Sequence, residues 1–157
     1  MEENNLSFAK KIKNSVKRIK SKLKLLKLIE KAKFEYDRNN YSGCEDACRK
    51  ILAENPENST ALRGLGCVMQ ASGNNKKALE YYTKALNFST NKELEYTLIG
   101  TIYYLEENLD MAIKYYNLAI DENEDYDKAY EGRNQAMLEN HLKIIDLQES
   151  LIKRKIF

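Results

Sequence analysis

One proline, six glycines and no tryptophan are found among 157 residues. So few backbone breakers argue against an all-β fold and favour helices joined by short turns. No run of about 18 apolar residues occurs, which argues against a membrane-spanning helix. The N-terminus is polar and then lysine-rich, without the apolar centre of a secretory signal. The expectation is a cytoplasmic protein, attached to a membrane at most peripherally. Three cysteines, Cys44, Cys48 and Cys67, are too few and the wrong number for a disulfide scaffold and read as reduced thiols. His141 is the only histidine. No glycine-rich phosphate loop is present, and no Ser–His–Asp or Cys–His set has independent support. The sequence therefore predicts no catalytic site, no cofactor and no metal: a non-enzymatic protein.

What is present suits a packed core. Hydrophobic residues make up 43% and charged residues 32% of the chain, and its length fits one ordinary domain or a short repeat array. The net charge of +2 hides an asymmetry. Residues 1–28 carry nine Lys/Arg against Glu2 and Glu3, a local +7, so the remainder carries −5. A basic arm is joined to an acidic body.

The body repeats. "ALEYYTKAL" at 78–86 is echoed by "AIKYYNLAI" at 112–120, 34 residues later. The echo is longer than the tyrosines: Gly66 falls on Gly100, Met69 on Tyr103, Ala78 on Ala112, Tyr82 on Tyr116 and Ala85 on Ala119. One step back, Ala32, Cys44, Cys48 and Ile51 take the corresponding places, and Pro56 follows. Helical pairs are expected at 25–38/41–54, 59–72/75–88 and 93–106/109–122, with turns at "RNN", "SGNN" and "EEN". Ala32, Gly66 and Gly100 would let the second helix approach the first, with Tyr82 and Tyr116 buried between them. Tyr81 and Tyr115 are expected nearer the next unit. One pair cannot bury its apolar face alone, so the pairs should stack.

This pattern resembles the tetratricopeptide repeat (TPR) family over about residues 25–130. The match is clearest in Tyr96, Ile99-Gly100, Tyr103, Ala112, Tyr116 and Ala119. The resemblance implies an all-α, right-handed α-solenoid of three helix pairs with helical extensions. Residues 1–24 would be a basic amphipathic arm, 25–126 three repeats (25–58, 59–92, 93–126), and 127–157 a capping helix and extension. In the fourth unit Arg133-Asn134 stands where Leu-Gly would be.

The resemblance also implies a function: an adaptor or chaperone-like scaffold whose first helices line a concave groove for a peptide or partner helix. Four columns spaced 3, 4, 3 fall on that face: Leu26, Ile29, Lys33, Tyr36; Thr60, Arg63, Cys67, Gln70; Leu94, Thr97, Thr101, Tyr104; and Lys128, Glu131, Gln135, Leu138. The groove residues singled out are Lys33, Tyr36, Arg63, Cys67, Gln70, Leu94, Thr97, Thr101, Tyr104, Leu105 and Lys128. Arg63, Lys33 and Lys128 are cations for a carboxylate, and Leu94, Tyr104 and Leu105 are apolar contacts. The competing reading is that some of them pack against the terminal helices. Family members that grip acidic chaperone C-termini use Lys/Arg and Asn on this face. Here Ile29, Gly64, Leu94 and Leu98 occupy those places, against a standard clamp. The family's type III secretion chaperones match in size and apolar groove, but not in the lysine run.

The termini carry two further helical stripes. Ile12, Val16, Ile19, Leu23 and Leu26 recur every three to four residues among Lys10, Lys11, Lys13, Lys17, Arg18, Lys20, Lys22, Lys24 and Lys27, a basic amphipathic helix. Three readings stand: a cap on repeat 1, attachment to an anionic membrane surface, a mode that usually wants Trp or Phe on the apolar face where only Phe8 is present, or contact with an acidic partner. Nucleic acid is disfavoured because no nucleic-acid motif accompanies the lysines. Leu138, Leu142, Ile145, Ile152 and Ile156 form the second stripe, either covering the array or pairing with another copy as a homodimer. Lys153-Arg154-Lys155 suits the C-terminal end of the helix dipole. Cys44 and Cys48, one helical turn apart, could form a metal pair with Cys67 and His141, but their repeat positions favour buried hydrophobes. The alternative to an adaptor is a structural, self-assembling protein, attached to a membrane surface through the arm.

Overall fold

The computed structural model describes the backbone of residues 2–156 and the side chains of residues 10–154. Phe8, Lys155 and Ile156 lie outside the described side chains. The described residues form seven helices and no strand: α1 (Glu2–Asp37), α2 (Tyr41–Glu54), α3 (Ser59–Ala71), α4 (Asn75–Leu86), α5 (Lys92–Leu105), α6 (Leu109–Glu122) and α7 (Asp127–Ile156). Each helix packs on its neighbour in sequence, and α1 on α3 and α5 on α7 close the units against one another. This is an α-solenoid of three helix pairs with helical extensions.

The turn inside each pair repeats as strictly as the core. Asn39, Gly73 and Glu107 have φ of 60°, 76° and 58° and stand 34 residues apart. Each ends a first helix in the left-handed conformation. The next residue, Asn40, Asn74 or Asn108, donates its backbone N–H to the carbonyl five residues back, on Glu35, Met69 or Tyr103. That is the Schellman closure of a helix end. The same asparagines begin the second helices: their side chains accept from Gly43, Lys77 and Met111 backbone N–H groups at 3.2, 3.2 and 3.3 Å. One asparagine thus closes one helix and caps the next.

Small residues set the spacing between helices. A Cβ on Gly66 would lie 2.4 Å from the ring of Tyr82, and one on Gly100 3.0 Å from that of Tyr116. The next unit adds a second approach from its own first helix. Gly64 faces Cys48 at 2.6 Å, and Gly132 faces Tyr116 at 2.6 Å. Tyr116 is therefore held between glycines of α5 and α7. Tyr82 is fully buried and Tyr116 nearly so, as expected. Tyr115 differs from expectation. It stacks on Tyr103 of its own repeat, centroids 5.3 Å apart and planes 12° apart, because an α6 side chain adjacent to Tyr116 still faces α5. Tyr81 likewise packs on the cluster containing Leu65 and Val68, toward the preceding unit.

The terminal helices depart furthest from the simplest reading. At 1.5 Å per residue, α1 is about 54 Å long and α2 about 21 Å. The Lys24–Glu54 ion pair marks where α2 ends against α1. The arm is the first part of one continuous helix running past the array. Ile12, Val16, Ile19, Leu23 and Leu26 are exposed, so they do not cap repeat 1. The reason is angular. Leu25, Leu28, Ile29, Ala32 and Tyr36 face the core, and at 100° per residue the stripe points roughly 150° away from them. Phe34 shares the outward face and is 57% exposed.

Helix α7 behaves similarly. Ala129 and Ala136 are buried on a face that packs on α6 and α5, so its first half caps the third repeat. Lys143 reaches Glu107 at 3.0 Å, near the end of that contact. Leu138, Leu142, Ile145 and Ile152 are exposed and do not cover the array, because they lie on the side opposite Ala129 and Ala136.

Candidate functional site: a cleft across the first two repeats

Three helices border an apolar cleft of about 270 Å³. Helix α1 contributes Ile29, Ala32, Lys33 and Tyr36; α2 contributes Cys44, Cys48 and Ile51; α3 contributes Thr60, Ala61, Arg63, Gly64 and Cys67. First-helix residues at the 3, 4, 3 spacing form two sides, and second-helix core residues form the remainder. Gly64 keeps the wall thin: a side chain there would meet the Cys48 sulfur.

The thiols in the walls are neutral. Burial pushes the Cys48 thiol up to about 12, and burial also raises Cys44 and Cys67. All three stay protonated near neutral pH and act as small hydrophobic groups. None is a reactive thiolate. Among the described residues no group of three or more His, Cys, Asp or Glu side chains is arranged to hold a metal ion.

The cations differ in availability. Lys33 is exposed at the rim and makes no ion pair with the described residues. Arg63, expected to be free for a ligand carboxylate, is engaged within the chain. Its Nη1 donates to Glu95 Oε1 at 2.7 Å. Glu95 is fully buried, and its Oε2 has no hydrogen-bond partner among the described residues. Burial raises the Glu95 carboxyl above its ordinary range, opposed by Arg63. The pair ties α3 to α5 directly beside the cleft.

The remaining groove residues divide. Gln70 accepts the buried Tyr82 hydroxyl at 2.8 Å, so its carbonyl is used internally. Thr97 and Thr101 donate to the carbonyls of Glu93 and Thr97, one turn back. Tyr104 packs on the cluster of Leu109, Ala112, Tyr116 and Ala136, which makes it part of the α5–α6–α7 core rather than an open contact. Leu94 is half-buried, and Leu105 and Lys128 are exposed. The cleft thus brings together Lys33, Tyr36, Arg63 and Cys67. It does not include Gln70, Leu94, Thr97, Thr101, Tyr104, Leu105 or Lys128.

Several wall residues were not singled out as site residues. Gly64, Ala61 and Ile51 lie beside the chosen columns, and the approach of Gly64 to Cys48 was legible as Gly132 to Tyr116 two periods later. Glu95 had no such signal. It sits 32 residues after Arg63, off the 34-residue period, and only the packed structure shows that it is buried.

Solved structures share this architecture. The TPR domain of Sgt2 from Aspergillus fumigatus matches with a TM-score of 0.68 at 19% identity, over 75% of this chain and 80% of that one. The chain has the tetratricopeptide-repeat fold. The Yersinia enterocolitica type III secretion chaperone SycD, in complex with a peptide of the translocator YopD, matches with a TM-score of 0.66 at 15% identity, over 74% and 95% of the two chains. A mutant Thermobaculum terrenum O-GlcNAc transferase matches the TPR fold with a TM-score of 0.67 at 22% identity. The match covers 72% of this chain but spans only 22% of the transferase. No protein-family model and no curated protein matches the sequence.

Proposed function

We propose that this TPR protein is a non-enzymatic adaptor or chaperone-like module that binds a peptide or helix, anchoring one apolar side chain in the cleft between α1, α2 and α3. The cleft itself carries the reading: about 270 Å³ of space with largely apolar walls, in which Lys33 and Arg63 are the cations, large enough for a Leu, Met or Phe side chain. Lys33 at the rim favours a partner with an acidic group or chain terminus beside the anchor. SycD, a protein of the same fold, is complexed with a translocator peptide, which supports a peptide ligand. Selection from a random peptide library tests the proposal, using wild type, Thr60→Trp to obstruct the rim and Lys33→Glu to reverse its charge. Both positions are exposed. Enriched peptides should share one apolar anchor with a nearby acid and lose at least about tenfold in affinity for each variant. Equal binding by Thr60→Trp would refute the cleft.

A second reading, self-assembly, is favoured by one observation. Leu138, Leu142, Ile145 and Ile152 form an outward apolar stripe on α7 that would suit a second copy. Light scattering across a concentration series tests it. A monomer at every concentration would remove it.

A further inference from the structure

We infer that α1 docks on an anionic lipid surface, lying flat with Ile12, Val16, Ile19, Leu23 and Leu26 in the interface and the repeat array held on the water side. This proposal is independent of the cleft. It rests on three features of one helix. First, those five side chains are all exposed, between 44% and 57%. Second, charge frames them on both sides. At 100° per residue, Lys20 and Lys27 border the strip on one side and Lys22 on the other, with Lys13, Lys17, Lys11 and Arg18 further round the helix. Residues 4–29 contain no Asp or Glu at all. Lysine stems on both flanks can extend along the apolar strip while their ammonium groups reach lipid phosphates. Third, the stripe points roughly 150° away from the core face of the same helix. A plane laid against it therefore lies on the side of α1 away from its core face, and α1 extends beyond α2, leaving its N-terminal part clear of the array.

The charge pattern selects among occupants. A second α1 on this stripe would bring nine cations against nine, which disfavours self-pairing. A neutral apolar partner leaves the lysines without a role. Nucleic acid would use the lysines but not a clean apolar strip between them. An anionic bilayer surface uses both at once. No described helix is long and apolar enough to cross a membrane, so the contact is interfacial.

Flotation of the full chain with vesicles tests this, using phosphatidylcholine alone and phosphatidylcholine with one-fifth phosphatidylserine, at 50 and 500 mM salt. Ile19→Glu/Leu23→Glu removes the strip, and Lys17→Gln/Lys20→Gln/Lys27→Gln removes charge. Circular dichroism checks that each stays helical, as expected for exposed positions. The wild type should float with anionic vesicles at low salt and at least about tenfold less with neutral ones or at high salt. Each variant should lose a comparable factor. Absence of wild-type flotation on anionic vesicles at 50 mM salt overturns the proposal. So does flotation unaffected by Ile19→Glu/Leu23→Glu, which would reduce the contact to charge alone. Binding of a single-stranded oligonucleotide at the same salt, with no vesicle binding, assigns the arm to nucleic acid. A dimer broken by the strip variant, again with no vesicle binding, assigns it to a second copy.

Discussion

Arg63 on α3 and Glu95 on α5 face each other at 2.7 Å, with the Glu95 side chain fully buried and the Arg63 side chain 22% exposed. The pair locks the second repeat to the third at the edge of the cleft. Removing only the cation leaves a buried charge without compensation. Arg63→Met should therefore cost about 3–5 kcal/mol, while a paired Arg63→Met/Glu95→Leu change should recover most of that. Urea denaturation of the three proteins measures it, and an Arg63→Met loss below about 1 kcal/mol would show the pair to be solvated.

Glu95 also gives the protein a pH signature. Burial raises its folded-state pKa above the unfolded value, so the folded state holds this proton more tightly. The contribution of this group is greatest below the unfolded pKa and is lost as pH rises through the folded one. Compared with Glu95→Gln, the wild type should gain stability as pH falls from 7 toward 4. Chemical denaturation at several pH values reads the difference, and a wild type that loses ground over that interval would contradict the raised pKa.

The glycine–tyrosine contacts rank a series of substitutions. A Cβ at Gly66 meets the Tyr82 ring at 2.4 Å, whereas one at Gly100 meets Tyr116 at 3.0 Å. Gly66→Ala should destabilise by roughly 1–3 kcal/mol through overpacking, and Gly100→Ala by less. Thermal melts give the order. Equal effects would mean that the helices slide apart freely.

Gly73 isolates a backbone effect. Its φ is 76°, and a Cβ there would find nothing within 4 Å. Gly73→Ala should cost about 1–2 kcal/mol from left-handed strain alone. Asn39 and Glu107 already bear the same conformation with side chains. Because Asn tolerates that conformation better than other residues do, Gly73→Asn should cost less than Gly73→Ala. Equilibrium unfolding of both variants provides the check.

The thiols test the dryness of the cleft walls. With Cys48 pushed up to about 12 and Cys44 and Cys67 also raised by burial, disulfide exchange with Ellman's reagent at pH 8 should be slow for the native chain. In denaturant all three should react promptly. A fast native phase would show an open, hydrated wall.

The period of 34 made most of the fold legible. Glycines, alanines and tyrosines recur because each pair solves the same packing problem, and α2 through α6 fall within two residues of expectation. The turns were visible as asparagine clusters. Their alternation of a left-handed residue with a double-duty asparagine became apparent only from the backbone. The ends were harder to read. A stripe such as Ile12 to Leu26 shows that a helix has an apolar side, but not which way that side points. The angular offset from Leu28 and Ala32 decides that, and it requires knowing where the core lies. For the candidate site, spacing placed Lys33, Tyr36, Arg63 and Cys67 on one face. It did not reveal that Glu95, which lies off the period, occupies Arg63, or that the Gln70 carbonyl accepts from the Tyr82 hydroxyl.

The most direct test of the cleft is an amide chemical-shift map of the labelled protein titrated with a library-selected peptide. Changes should concentrate at Ala32, Lys33, Thr60, Gly64 and Cys67, all in the cleft wall, and be lost in Thr60→Trp. Changes centred instead on Leu94, Leu105 and Lys128, with the cleft residues unmoved, would contradict a cleft site.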